Sequence, residues 1–191
     1  MATERSENIQ AEPLAPPAAA LPGPRGIGTG VTFDWALSVQ LLIGSAATIL
    51  GSNLGALDAR QPIGARLAAG LVLLAFAALI FVQGEALRRG RRVAWIIQIA
   101  ANALLVIDGF IEIPTTIHSL EMHQISHLVR LIVLLIISPL IAWLLTRPPT
   151  RAWIASVSSA EARARHTGTW LLWIALWSII GGTAIAFVGY Y

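Results

Sequence analysis

Five apolar stretches, each about as long as a bilayer's hydrocarbon core is thick, alternate with short clusters of charge along this 191-residue chain. A run of ~20 apolar residues rises ~30 Å as an α-helix, enough to cross the core. Backbone N–H and C=O groups inside lipid have no water to bond, so such a run pairs them within itself and becomes a helix. The pattern therefore predicts an all-α fold: a polytopic integral membrane helix bundle of five transmembrane helices. Composition agrees, with 56% hydrophobic and 12% charged residues, against roughly 25% charged in soluble domains.

The predicted spans cover residues 35–57, 67–84, 93–113, 128–146 and 169–188. Asp34 and Asp58 bound the first, Arg66 and Glu85 the second, and Pro114 ends the third. Residues 1–30 read as a disordered Pro/Ala-rich cytoplasmic tail, because five of the ten prolines lie between Pro13 and Pro24 and little apolar surface is available to offset ordering entropy. Gly26, Gly28 and Gly30 follow no strand, so they read as linker rather than phosphate loop. Residues 31–191 form the transmembrane domain. Within it a short interfacial helix is expected at about 151–165, where Ser158 and Glu161 have capping-box spacing and Glu161 and Arg165 stand four apart.

Arginine sets the orientation. With the N-terminus inside, the inner segments hold Arg5 and Arg25, then Arg88, Arg89, Arg91 and Arg92, then Arg147, Arg151, Arg163 and Arg165, while the outer side has Arg60, Arg66 and Arg130. That asymmetry places the N-terminus inside and the C-terminus outside. Trp35, Trp95, Trp143, Trp153, Trp170 and Trp173 are expected at the inner interface, and Tyr190 and Tyr191 at the outer one. All thirteen basic residues are arginine, a bias of GC-rich bacterial coding, so the expected location is a bacterial cytoplasmic membrane. Because the arginines flank spans, they read as topology signals and no nucleic-acid partner is expected. The chain has no cysteine, which excludes disulfides, thiolate metal sites and cysteine nucleophiles.

Polar residues within the spans are where function is sought. On the third helix Gln98, Asn102, Asp108, Gly109 and Glu112 fall within about 80° of Gln98 at 100° per residue. Gln98 and Asn102 read as packing residues that bond to neighbouring helices. Asp108 and Glu112, one turn apart near the outer end, repel each other and invite a countercharge, for which Arg130 is placed. The outer segment holds three of the four histidines: His118, His123 and His127. His123 and His127 have the i,i+4 spacing used for divalent metals. If the third and fourth helices form a hairpin, Asp108, Glu112, His118, Glu121, His123, His127 and Arg130 make one outward-facing acid/histidine patch. Such a patch suits an ion, a proton or a partner. No cofactor is expected outright; a divalent transition metal is the one these ligands would suit.

On the first helix Gln40, Gly44, Ala47, Gly51 and Gly55 are expected to share a face of small residues, packing within the bundle or against a second copy or another membrane protein. Gly181 and Gly182 mark a close contact, and Pro139 a kink. With no serine–histidine–acid order, phosphate loop or haem motif, the leading expectation is a non-enzymatic accessory, structural or sensor-like membrane protein. The alternative is a metal-dependent membrane enzyme or small metal or proton transporter working through the outer patch.

Overall fold

The computed structural model describes residues 24–121 and 126–188, with the side chains of 121 and 126 also outside what is described. Eight α-helices occur among the described residues: α1 (Arg25–Leu50), α2 (Ile63–Arg88), α3 (Arg92–Glu121), α4 (Ser126–Ile132), α5 (Ser138–Thr146), α6 (Pro148–Ser156), α7 (Ser159–Arg165) and α8 (Thr169–Val188), and no strand. A π-helical turn, Val133–Ile137, joins α4 to α5 into one span. Five helical segments are long and apolar enough to cross a membrane: α1, α2, α3, α4 to α5, and α8. The chain is a multi-pass helical membrane bundle. The leucines, isoleucines and phenylalanines that stand exposed on α2, α3 and α8 form the belt that lipid covers.

The first span differs from expectation by ten residues. It begins at Arg25, so Gly26, Gly28 and Gly30 are helical rather than linker, and it ends at Leu50. Gly51 takes a left-handed conformation (φ 68°) and caps it, its N–H reaching the carbonyls of Ala47 and Thr48. Gly51 and Gly55 therefore do not continue a helical face. Gly55 lies in the turn that folds back, where a Cβ would come within 2.5 Å of Thr48 Cα. Of the small residues expected on that face, Gly44 and Ala47 are in the helix and buried.

α1 is the centre of the bundle. It packs most extensively on α2, then α8, with α5 also against it. The contact with α2 runs along a stripe of small residues at heptad spacing, Gly70, Ala77 and Gly84, all buried. A Cβ on Gly84 would sit 2.8 Å from Trp35 Cδ1, and one on Gly70 2.9 Å from Ile49 Cδ1. That proximity lets Ser38 Oγ donate to Ala77 O (2.9 Å) and Ser45 Oγ to Gly70 O (2.7 Å). The contact with α8 uses Ser178, Gly182 and Ala186, four apart and buried, the spacing by which membrane helices approach closely. Ser178 Oγ shares its hydrogen between Ile174 O of its own helix at 2.7 Å and Thr32 O of α1 at 3.1 Å.

α3 passes through Pro114 and continues to Glu121. Proline removes one backbone donor and crowds the preceding turn, but here it sits near the outer end, where Thr116 Oγ1 and Ser119 Oγ bond back to the carbonyls of Glu112 and Thr115. The expected outer loop is thus largely helix. The kink expected at Pro139 is the π turn just before it, where Ser138 Oγ donates to Val133 O at 3.0 Å. The turn relieves the clash of the proline ring with the preceding turn. It packs on α3 at Gly109, where a Cβ would come within 2.8 Å of Leu134 Cβ.

The inner segment forms two short helices rather than the single one expected, broken at an extended Val157. The Ser158 side chain caps α7 by accepting from Glu161 N–H, as its spacing predicts, and Glu161 pairs with Arg165. Of the tail expected over residues 1–30, the first 23 lie outside the described residues, as do Tyr190 and Tyr191, and residues 25–30 are helix.

Candidate functional site

Two polar clusters lie at different depths. The outer one is the patch expected from the sequence, in part. Arg130 reaches Asp108 Oδ2 at 3.2 Å and Glu112 Oε1 at 3.1 Å, so α3 and α4 do form the hairpin that brings acids and arginine together. His127 and Arg130 line a cavity of about 240 Å³ with Gln40 and Leu37 of α1. His118 lies further along α3. It stands six residues beyond Glu112 on a continuous helix, ~9 Å along the axis and turned by about 240°. Glu121 and His123 are expected members whose side chains lie outside those described. Among the described residues no three His, Asp or Glu side chains come together as a metal-holding group.

The inner cluster was not anticipated as a site. Asp34, expected to end the first span at the membrane surface, lies nine residues into α1, ~13 Å along the helix from Arg25. It is buried, 4% exposed. Gln98 Nε2 of α3 donates to Asp34 Oδ1 at 2.6 Å. Gln83 Nε2 of α2 donates to Ala94 O at 2.7 Å and lies 3.4 Å from Gln98 Oε1. Asn102 Nδ2 donates to the carbonyl of Gln98 at 2.8 Å. Gln98 thus bonds to a neighbouring helix as sequence reasoning assigned it, whereas the Asn102 amide bonds within α3.

Two oxygens in this cluster have no protein partner: Asp34 Oδ2 and Asn102 Oδ1 are both buried and unbonded. Asn102 Oδ1 is an acceptor, as is Asp34 Oδ2 when the carboxyl is ionised, and an unpaired buried acceptor costs on the order of 1–3 kcal/mol, more when charged. The cluster forms the back wall of a cleft of about 570 Å³ among α1, α2 and α3. Apart from Asp34, Gln83, Gln98 and Asn102, its lining is apolar. Leu79, Ile97 and Leu104 stand exposed at its mouth, so it opens sideways toward lipid. The cleft exists because α2 and α3, although consecutive, scarcely touch. A tight turn at Gly90 (φ 70°) joins them at the inner end, and both lean on other neighbours.

Trp35, expected at the interface, is buried beside this cluster and stacks on Phe81, with ring centroids 5.2 Å apart. Two signals pointed here in the sequence. Gln98 and Asn102 on one face of α3 required partners at their own depth, and Asp34 lies at that depth once α1 starts at Arg25.

The inner segment is tied to the end of α2 by a reciprocal pair of bonds. Arg88 Nη1 donates to His166 O at 2.7 Å, and His166 Nδ1 donates to Arg88 O at 3.0 Å. Glu85 holds Arg88 and Arg89 at 2.6 and 2.7 Å. The imidazole is buried, stacked on Trp170 with centroids 4.2 Å apart and tilted against Trp153 at 5.4 Å. Burial pushes its pKa below the ordinary 6.5, and the neighbouring arginines add to that, against the backbone bond that raises it. The Arg147 guanidinium lies 4.3 Å over the ring of Trp143.

Comparison with known proteins gives no match: no family model, no curated protein and no solved structure is similar to this chain.

Proposed function

We propose that this protein is a non-enzymatic binding component of a bacterial cytoplasmic membrane, and that its ligand is a hydrophobic molecule with a hydrogen-bond donor at one end. The ligand enters from lipid between α2 and α3, and its donor, a hydroxyl or an amine, meets Asp34 and Asn102. One observation carries this reading: two orphaned oxygens, Asp34 Oδ2 and Asn102 Oδ1, belong to residues that line one otherwise apolar cleft. An apolar cavity of several hundred Å³ with a few convergent polar groups is the common form of a small-molecule site, and an ionisable residue inside a membrane is a functional signal. The bacterial assignment rests on the all-arginine basic set, and the inward N-terminus on arginine placement.

The test uses purified protein in lipid nanodiscs with two fluorescent probes, 1-pyrenemethanol and its methyl ether, which differ in one O–H donor. Binding is read by energy transfer from tryptophan. The wild type is expected to prefer the alcohol by roughly fivefold or more, the worth of satisfying a buried acceptor. Asp34→Leu is expected to remove the preference, and Ala101→Phe, which fills the cleft, to remove binding of both probes. Equal affinity for alcohol and ether, or an alcohol preference that survives Asp34→Leu, refutes the reading.

A second reading concerns the outer patch, and the cavity shared by His127, Arg130 and Gln40 favours it. There the protein takes up an ion, a proton or a partner at its outer face. Metal content of the purified protein, before and after His123 and His127 are both changed to alanine, tests the metal form of that reading. Stoichiometric metal lost on substitution supports it, and metal-free protein refutes it.

A further inference from the structure

Next to the cleft around α1, with Phe33 lining both, a second cavity of about 720 Å³ runs among α1, α5 with its π turn, and α8. Its ends differ sharply. Arg25 stands exposed at the inner mouth. From there the groove passes Gly28, Phe33 and Ala36 on α1 and Trp170, Ile174, Trp177 and Gly181 on α8. Thr29 and Thr32 also line it, but their hydroxyls donate to the carbonyls of Arg25 and Gly28 at 3.1 and 2.8 Å. The polarity is therefore concentrated at the mouth.

The length is informative. Arg25 to Ala36 on α1 and Trp170 to Gly181 on α8 each span twelve residues, eleven steps that rise ~16 Å. That is about half of the ~30 Å hydrocarbon core, the depth of one leaflet. Two glycines keep the channel open. A Cβ on Gly28 would lie 3.5 Å from Trp170, and one on Gly181 3.7 Å from Ala36 Cβ, both ordinary contacts. Neither glycine is required by helix packing, whereas Gly182 next door is pressed against Val39 at 2.7 Å.

We infer that this groove holds one acyl chain of an anionic phospholipid from the inner leaflet, with the headgroup on Arg25. A cation at one end and an apolar channel of one-leaflet depth behind it match the two parts of such a lipid. Anionic lipids are enriched in the cytoplasmic leaflet that the arginine-rich side faces. Apart from Phe33, which both share, this groove is walled by α5 and α8 and the Asp34 cleft by α2 and α3, so this inference does not rest on the ligand proposed there.

Native mass spectrometry of protein taken from nanodiscs of equal phosphatidylglycerol and phosphatidylcholine tests it. The wild type is expected to retain one phosphatidylglycerol after mild delipidation, in about fivefold preference, the worth of one arginine at an anionic surface. Arg25→Gln is expected to abolish the preference while a lipid is still retained. Gly181→Leu is expected to abolish retention with the melting temperature unchanged, and Gly64→Leu, at a position where a Cβ meets nothing within 4 Å, to leave it intact. Equal retention of the two lipids by the wild type overturns the inference, as does undiminished retention by Gly181→Leu. Should Gly181→Leu unfold, Gly28→Leu reads the same groove from α1, with the same two outcomes.

Discussion

Adjacent glycines in α8 give a sharp test of how the bundle is held together. Gly182 faces α1 at its closest approach: a Cβ there would press on the backbone carbonyl of Ala36 and come within 2.7 Å of Val39 Cβ. Backbone cannot step aside as the end of a flexible side chain can. Gly181, one residue earlier, has a Cβ position that meets only Ala36 Cβ at 3.7 Å. Replacing either glycine by alanine gains helix propensity of up to about 1 kcal/mol. Gly182→Ala must also force apart a packed helix pair, an overpacking cost of about 1–3 kcal/mol. Gly181→Ala is therefore expected to be neutral or stabilising, and Gly182→Ala less stable than Gly181→Ala by about 1–3 kcal/mol. Unfolding in mixed micelles by added SDS, followed by tryptophan fluorescence, measures both. Equal stability of the two variants would show that α8 does not lie against α1 as described.

Lower pH is expected to loosen the inner segment. The folded pKa of His166 is depressed, so the unfolded or undocked imidazole binds protons more readily; docking is at full strength above the ordinary 6.5 and weakens as pH falls through the depressed value. Proteolysis between residues 147 and 168 should thus speed up from pH 7.5 to pH 5 in the wild type and lose that dependence in His166→Phe; a pH-independent wild type refutes this. Arg130→Gln is expected to cost about 1 kcal/mol or less, because the bridged pair is partly exposed, with Glu112→Gln removing most of the effect in a double-mutant cycle; additive losses would mean the ion pair contributes nothing. Because the chain has no cysteine, Gln61→Cys and Ala160→Cys can be labelled singly with a membrane-impermeant maleimide. The first should react only from outside and the second only from inside, and labelling from one common side refutes the topology.

Much of this architecture was legible before any coordinates, because lipid imposes length and polarity rules that a single sequence displays. The last span, at residues 169–188, coincides with α8, and Ser158 with Glu161 marked the cap that α7 uses. The first span was misplaced for a physical reason. An aspartate after a glycine-rich stretch looks like an interfacial break, yet Asp34 is tolerated at depth because Gln98, 64 residues away, donates to it. Local pattern cannot display such a bond. The stripes Gly70–Ala77–Gly84 and Ser178–Gly182–Ala186 were present at heptad and four-residue spacing, and reading them would have identified the faces that meet α1. The outer patch was legible only as far as Arg130 with Asp108 and Glu112.

The central claim is that Asp34 and Asn102 receive a hydrogen-bond donor from a molecule that enters between α2 and α3. An experimental structure in a lipid bilayer tests it most directly. The account predicts density larger than a water molecule in the cleft, with a polar atom within about 3 Å of Asp34 Oδ2 and Asn102 Oδ1, a hydrogen-bond distance. A cleft closed by contact between α2 and α3, with both oxygens bonded to protein side chains, would contradict it.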